Sequence, residues 1–183
     1  VERFATLRDR GGPEIDIAID FHGAISPQTA KLLIKALEPY QPMFIEEPCQ
    51  CQNVDILADI AHGTHLPIAT GERVFTKWGF REILEKRAAA ILQPDLCAAG
   101  GFSEMLKIVA MASAANLPVI PHVWGTHVGL AASLQFFAAL PHFPERRFPA
   151  EPFFEYDRSA HPLREGVTNE RFEMKDGYLP IPD

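Results

Sequence analysis

Short apolar runs alternate along this chain with segments in which apolar residues recur at helical spacing. The runs are apolar on both faces, which is typical of parallel strands that helices cover on either side. The pattern predicts six strands, over residues 15–20, 42–48, 66–72, 88–95, 117–123 and 148–154. Strands that alternate with helices in this way indicate an α/β fold built on a parallel sheet.

Polar capping residues mark where the helices between these strands begin. Ser26 precedes Pro27, a proline suited to the first helical position, and Gly63 is expected to end the second helix. The predicted N-caps of the first four helices are Ser26, Asn53, Thr76 and Ser103. A fifth helix is predicted over residues 129–140, whose sequence is GLAASLQFFAAL.

One titratable side chain stands at the C-terminal end of each of five successive runs. These side chains are Asp20, Glu46, Glu72, Asp95 and His122, which are 26, 26, 23 and 27 residues apart. Each interval matches one strand plus one helix. In a (β/α)8 TIM-type barrel the strand ends meet at one face, which holds the active site. In an open doubly wound sheet five ends would spread over more than ~20 Å, so the spacing favours the barrel.

The first three of these side chains are carboxylates, which raise one another's pKa when they share a barrel mouth. A divalent cation removes that conflict, and oxygen ligands without cysteine or a His-x-His pair suit Mg²⁺, with Mn²⁺ as the alternative. The pattern therefore predicts a cation site at Asp20, Glu46 and Glu72. The competing interpretation is that each acid caps a helix or pairs with a lysine.

Composition limits the classes of partner that the chain is expected to bind. Its 183 residues fit a single domain over 1–183, and its net charge of −7 argues against nucleic acid, which needs clustered Lys and Arg. No apolar run approaches the ~18 residues of a membrane span, and no signal peptide is expected. Cys49, Cys51 and Cys97 lack the spacing of a zinc site, so we expect reduced thiols in a cytoplasmic protein.

The motifs D-F-H-G, I-E-E-P, A-T-G-E, Q-P-D and P-H, each at a predicted strand end, resemble the enolase superfamily. Within it they are similar to the mandelate racemase and muconate lactonizing enzyme branch, and to its galactonate-type acid sugar dehydratases. The resemblance covers nearly the whole chain. It implies that Asp20, Glu46 and Glu72 bind Mg²⁺, with Glu47 as the rival of Glu46.

The resemblance also implies a reaction, in which a base removes the proton alpha to a carboxylate. It implies a dyad in which His122 is the base and Asp95 fixes its tautomer. Strand alternation directs His22 to the same mouth, where it is expected to protonate a departing β-hydroxyl. Loss of water then yields a 2-keto-3-deoxy acid. Further expected contacts are Glu155 near the substrate carboxylate, with Glu151 as its rival, and Trp124, His127 and Glu47 in the substrate pocket, packing being the alternative for Trp124 and His127.

The resemblance is incomplete at the N-terminal side of the chain. Members of the family have an α+β capping domain and a K-x-K motif on the second barrel strand, and neither is seen here. The expectation is a C-terminal catalytic barrel domain of about six βα units, poorly active alone. Open sheet edges favour covering by another chain, so a homo-oligomer is expected.

Several functions remain open at this point. A racemase or a lactone cycloisomerase would use the same ligands with different flanking bases. A metal-dependent hydrolase on a similar barrel would normally carry a His-x-His pair, which is not seen. A non-catalytic barrel fragment would form an oligomer without binding metal. The expected small-molecule partner is a sugar acid whose identity is set by loops.

Overall fold

The structure is a computed structural model that describes residues 1–140 and 152–182. Its centre is a four-stranded parallel sheet in the order β1-β2-β3-β4. The strands are β1 (Ile19–Asp20), β2 (Ile45–Glu46), β3 (Ile68–Thr70) and β4 (Ile91–Leu92). Asp20 pairs with Glu46, so the first two acidic strand ends lie side by side.

The strands are shorter than the apolar runs that predicted them, and the fifth is not a regular strand. Isolated parallel bridges join Leu92 to Val119 and Asp95 to His122, which continues the sheet by one segment. Pro118 and Pro121 lack the N–H groups that a regular ladder requires. Of the sixth predicted strand, residues 148–151 lie outside the described residues and residues 152–154 form no strand.

Helices follow the strands as the pattern predicts. They are α1 (Glu2–Gly11), α2 (Pro27–Leu37), α3 (Val54–His62), α4 (Thr76–Glu85), α5 (Gly101–Ala114), α6 (His127–Ala138) and α7 (Pro162–Gly166), with a 3-10 turn at Glu38–Tyr40. Two predicted caps are confirmed: Ser26 Oγ accepts from Thr29 N at 3.2 Å, and Asn53 Oδ1 accepts from Ile56 N at 3.2 Å. Gly63 ends α3 as predicted.

The other two predicted caps are wrong. Phe75 is the N-cap of α4, and Thr76 is its first residue. Ser103 lies inside α5, because Gly100 and Gly101 adopt φ values of 119° and 76° and turn the chain into the helix three residues earlier, with Gly100 as the N-cap. The fifth predicted helix likewise begins earlier, at His127, and ends at Ala138.

The main core lies between the strands and the helices that pack outside them. Ile45, Ile68 and Leu92 from the strands meet Phe80 of α4 and Met105 of α5, all almost fully buried. A smaller cluster joins the fifth segment and α6 to the C-terminal residues: Val123, Leu130, Leu134, Phe154, Tyr156, Phe172 and Leu179. Helices outside and parallel strands inside make this a partial TIM-type barrel. Within the described ranges, no helix is both long and apolar enough to cross a membrane.

Candidate active site

The loop after β1 turns sharply and directs an imidazole back over the strand end. His22 has a φ of 52°, in the left-handed region that few non-glycine residues adopt. Its backbone N–H donates to Asp20 Oδ1 at 2.6 Å, and Gly23 N donates to the Glu47 carbonyl at 2.7 Å. The turn places His22 Nδ1 3.2 Å from Asp20 Oδ2 and 3.3 Å from Glu72 Oε1.

A second imidazole continues this network on the far side of Glu72. His122 Nε2 lies 3.3 Å from Glu72 Oε2, and its Nδ1 lies 2.7 Å from Asp95 Oδ2. Five predicted site residues therefore form one chain of contacts, in the order Asp20, His22, Glu72, His122, Asp95. They come from four segment ends that are far apart in sequence.

The His122–Asp95 pair is held rigidly. Asp95 Oδ1 accepts hydrogen bonds from the backbone N–H groups of Cys97 at 2.6 Å and Ala98 at 3.1 Å, which fix the carboxylate. Burial alone would lower the pKa of His122. The Asp95 hydrogen bond and the charges of Glu155, Asp95 and Glu72 outweigh burial and raise that pKa to about 9. Without a cation, His122 is therefore protonated at neutral pH, and its Nδ1–H points at Asp95.

Two half-buried carboxyls complete the mouth. Burial is the main cause that raises the pKa of Glu46 to about 7; Gln93 opposes it, and the charges of Asp20, Glu155 and Glu72 add to it. Glu155 Oε2 accepts from Val123 N at 2.8 Å. Burial also raises the pKa of Glu155, against the opposing charge of His122. Its rival Glu151 lies outside the described residues.

The carboxylates suit a divalent cation in donor type and in charge. Asp20, Glu46 and Glu72 offer only oxygens, as Mg²⁺ prefers, and burial together with the neighbouring carboxylates raises the pKa of Glu46, a shift that a cation would oppose. Among residues 1–140 and 152–182, no three His, Cys, Asp or Glu side chains are grouped closely enough to hold an ion. His22 instead bridges Asp20 and Glu72.

Glu47 is not at the mouth, contrary to its expected place in the substrate pocket. Its side chain is fully buried, at 0% exposure. Its Oε1 accepts from Thr70 Oγ1 at 2.6 Å and Gly71 N at 3.0 Å, and its Oε2 accepts from Arg73 Nη2 at 2.5 Å. Successive side chains of a strand point to opposite faces, so the position of Glu47 assigns the mouth to Glu46.

Arg73 is a site residue that the sequence pattern did not reveal. Its Nε lies 3.2 Å from Glu47 Oε2 and 3.4 Å from Glu72 Oε1, so it ties a buried acid to a mouth acid. Gly23 packs against the guanidinium so closely that a Cβ there would lie 2.6 Å from Nη2. The available signal was the second glutamate of I-E-E-P, since a buried carboxylate needs a cationic partner.

Trp124 and His127 lie in different environments, one exposed and the other buried. Trp124 is exposed and makes an edge contact with His161, with the ring centroids 5.5 Å apart. His127 is buried at the start of α6, where its ring lies 5.1 Å from that of Phe172 and its Nδ1 lies 3.3 Å from Thr168 Oγ1. His127 therefore packs α6 against the C-terminal segment, the alternative left open for it.

Comparison with known proteins agrees with this geometry. A family described as enolase C-terminal domain-like matches residues 1–183. The chain is 39% identical over 181 residues to a D-galactonate dehydratase of Cronobacter sakazakii, an alignment that covers 98% of this chain and 46% of the relative. It is 37% identical over 179 residues to a D-galactarolactone cycloisomerase of Agrobacterium fabrum, covering 98% of this chain and 47% of that protein.

A solved structure shares the fold. The 3,6-anhydro-D-galactonate cycloisomerase of Zobellia galactanivorans superposes with a TM-score of 0.88 at 31% identity, over 99% of this chain and 49% of that protein. The chain thus spans about half the length of the relatives it matches.

Replacing Arg73 by Met leaves Glu47 buried without its cationic partner. Breaking a buried ion pair in this way costs about 3–5 kcal/mol, and we expect the free energy of unfolding in urea to fall by that amount. The matched control is Arg81→Met on α4, whose surface pair with Glu85 contributes at most about 1 kcal/mol. Small and equal losses in both variants would show that the buried pair does not hold the strand ends.

Replacing Glu46 by Gln should stabilise the cation-free protein. The pKa of Glu46 rises from 4.5 to about 7 on folding, so the stability that its proton contributes is present below pH 4.5 and lost as pH rises through about 7. The glutamine side chain would carry no charge at any of these pH values. In EDTA at pH 8 we expect the Tm of Glu46→Gln to exceed wild type by a few degrees, and the difference to shrink at pH 5.

The control for that comparison is Glu14→Gln, at an exposed position before β1. We expect it to leave the Tm unchanged at both pH values. A Glu46→Gln variant no more stable than wild type at pH 8 would contradict the picture of an uncompensated charge at the mouth.

Proposed function

Because the chain belongs to the enolase C-terminal domain-like family, we propose that it is the catalytic barrel domain of a Mg²⁺-dependent sugar acid dehydratase. In the proposed reaction the proton alpha to the carboxylate is removed, and loss of water yields a 2-keto-3-deoxy acid. The observation that carries this proposal is the His122–Asp95 pair, 2.7 Å apart, beside a mouth rich in carboxylates. The names of the dehydratase relatives support the substrate class.

His122 is the proposed base. Its Nδ1–H points at Asp95 Oδ2, which leaves Nε2 to take the substrate proton. The base must be neutral before it acts, and its pKa of about 9 reflects the surrounding carboxylates. Compensating those negative charges lowers that pKa towards the operating range of a base.

The cation proposed for Asp20, Glu46 and Glu72 is Mg²⁺, and Mn²⁺ is expected to replace it. When bound, it would supply Lewis-acid stabilisation of the negative charge that develops on the substrate carboxylate. His22 is the proposed acid for the departing hydroxyl, because its exposed ring stands at the mouth on the opposite side of Glu72 from His122. Glu155, tied to Val123 N, is proposed to orient the substrate next to His122.

Cycloisomerisation of a sugar lactone is the second candidate. Two similar proteins carry a cycloisomerase activity in their names, at 37% and 31% identity. The same metal ligands would serve both reactions, which differ in the flanking bases and in whether a hydroxyl leaves as water. A homo-oligomer is proposed as well, since β1 is an edge strand of the described sheet.

The first test is thermal and chemical unfolding of this chain in EDTA and with millimolar Mg²⁺. Binding to the folded state alone raises stability by about 2.7 kcal/mol at a hundredfold excess over the dissociation constant. We expect that gain in wild type and its loss in Asp20→Asn and Glu72→Gln. The control is Asp59→Asn, on the surface of α3, which should keep the gain.

The second arm follows D-galactonate by NMR in the presence of Mg²⁺. Formation of a 2-keto-3-deoxy acid supports dehydration, whereas an isomer formed from a sugar lactone supports cycloisomerisation. We expect His122→Gln to lower the rate at least ~100-fold and His62→Gln, an exposed change on α3, to leave it unaltered. A wild type that neither binds Mg²⁺ nor transforms either substrate class would refute the proposal.

A further inference from the structure

The side-chain oxygen of Gln93 is buried and has no hydrogen-bond donor. Its side chain is 4% exposed, directly after β4. Among the described residues, its Oε1 is the one buried side-chain nitrogen or oxygen that lacks a hydrogen-bond partner. Buried polar groups are nearly always paired, so an exception calls for a specific explanation.

The position of Gln93 is at the floor of the mouth. Its N–H donates to the Thr70 carbonyl at 2.8 Å, which extends the β3–β4 pairing. Residues two apart on an extended segment share a face, so Gln93 lies below Asp95 on the side of the mouth. A Cβ at Gly71 would lie 2.9 Å from the Gln93 backbone, which brings Gln93 next to the residue that precedes Glu72.

The orientation of the amide is set by its neighbour. The side chain of Gln93 lies close enough to the Glu46 carboxyl to lower its pKa as a hydrogen-bond partner, against the larger effect of burial. In the ionised form in which it would hold a cation, the Glu46 carboxylate only accepts, so the amide NH₂ is the group that faces Glu46 and the Oε1 faces away from it. The unpaired oxygen is thus an acceptor placed beside a proposed cation ligand, with no protein donor to fill it.

We propose that Gln93 is a positioning residue of the cation site, an inference that rests on the proposed function. Its NH₂ group would hold the Glu46 carboxylate in place, and its Oε1 would accept a hydrogen bond from a water of the cation. Mg²⁺ usually keeps several waters when proteins bind it, and such waters are donors. Carboxylates at the mouth only accept, so a water of the cation supplies what Oε1 lacks.

The test is the Mg²⁺ dissociation constant of Gln93→Met, measured by titration calorimetry on this chain without substrate. Partners that support a metal ligand typically change affinity 10–100-fold when removed, and we expect the constant to rise within that range. In EDTA we expect the Tm to stay within about 2 °C of wild type, because the variant loses the Glu46 bond and also loses an unpaired buried acceptor. The control is Gln135→Met on α6, whose amide donates to the Pro182 carbonyl at 2.5 Å; its affinity for Mg²⁺ should not change.

The outcomes separate this inference from the function on which it rests. If wild type does not bind Mg²⁺, the proposed function fails and the inference fails with it. If wild type binds and Gln93→Met binds within threefold, the inference alone is overturned. A Tm that falls equally with and without Mg²⁺, at unchanged affinity, also overturns it and assigns Gln93 to packing. If Gln93→Met does not fold, Gln93→Asn is judged by the same affinity criterion, since it keeps the amide but shortens its reach.

Discussion

The buried carboxylate of Glu47 is the contact on which the arrangement of the mouth depends. It binds the Thr70 hydroxyl, the Gly71 N–H and the Arg73 guanidinium, and so ties the end of β2 to the end of β3. We call the Glu47–Arg73 contact the clamp. Glu46 and Glu72 are the chain neighbours of Glu47 and Arg73, so the clamp fixes the positions of both mouth carboxylates. Glu47 has a φ of 43°, a backbone conformation that costs free energy and persists only where surrounding contacts enforce it.

The clamp gathers negative charge that the mouth does not neutralise by itself. Arg73 pairs mainly with Glu47. The imidazoles of His22 and His122 are shared among Asp20, Glu72 and Asp95. Burial, with an addition from these charges, raises the pKa of Glu46 to about 7, and, against burial, the Asp95 hydrogen bond and these charges raise the pKa of His122 to about 9. A divalent cation bound at the mouth would lower both of these pKa values. Charge that destabilises the cation-free fold is thereby the same charge that suits the site to bind a cation.

Spacing in the sequence was enough to predict convergence of the strand ends, because each interval of 23 to 27 residues holds one strand and one helix. Local chemistry also predicted the caps Ser26 and Asn53, where a side chain meets an N–H three residues on. The sequence pattern did not predict the Glu47–Arg73 clamp, because periodicity does not say which of two adjacent acids turns inward. For His127 the sequence left both the substrate pocket and packing open, because its burial depends on Phe172, 45 positions further along the chain. Pro118 and Pro121, visible in the sequence, explain afterwards why the fifth strand is only a pair of bridges.

Asp20, Glu46 and Glu72 are proposed to hold one divalent cation, and the decisive experiment is a crystal grown with Mn²⁺. Anomalous diffraction locates manganese independently of any assumption about ligands. We expect one strong peak within bonding distance of all three carboxylates, with His22 withdrawn from between Asp20 and Glu72. A mouth without a peak, or a peak bound elsewhere in the chain, would contradict it.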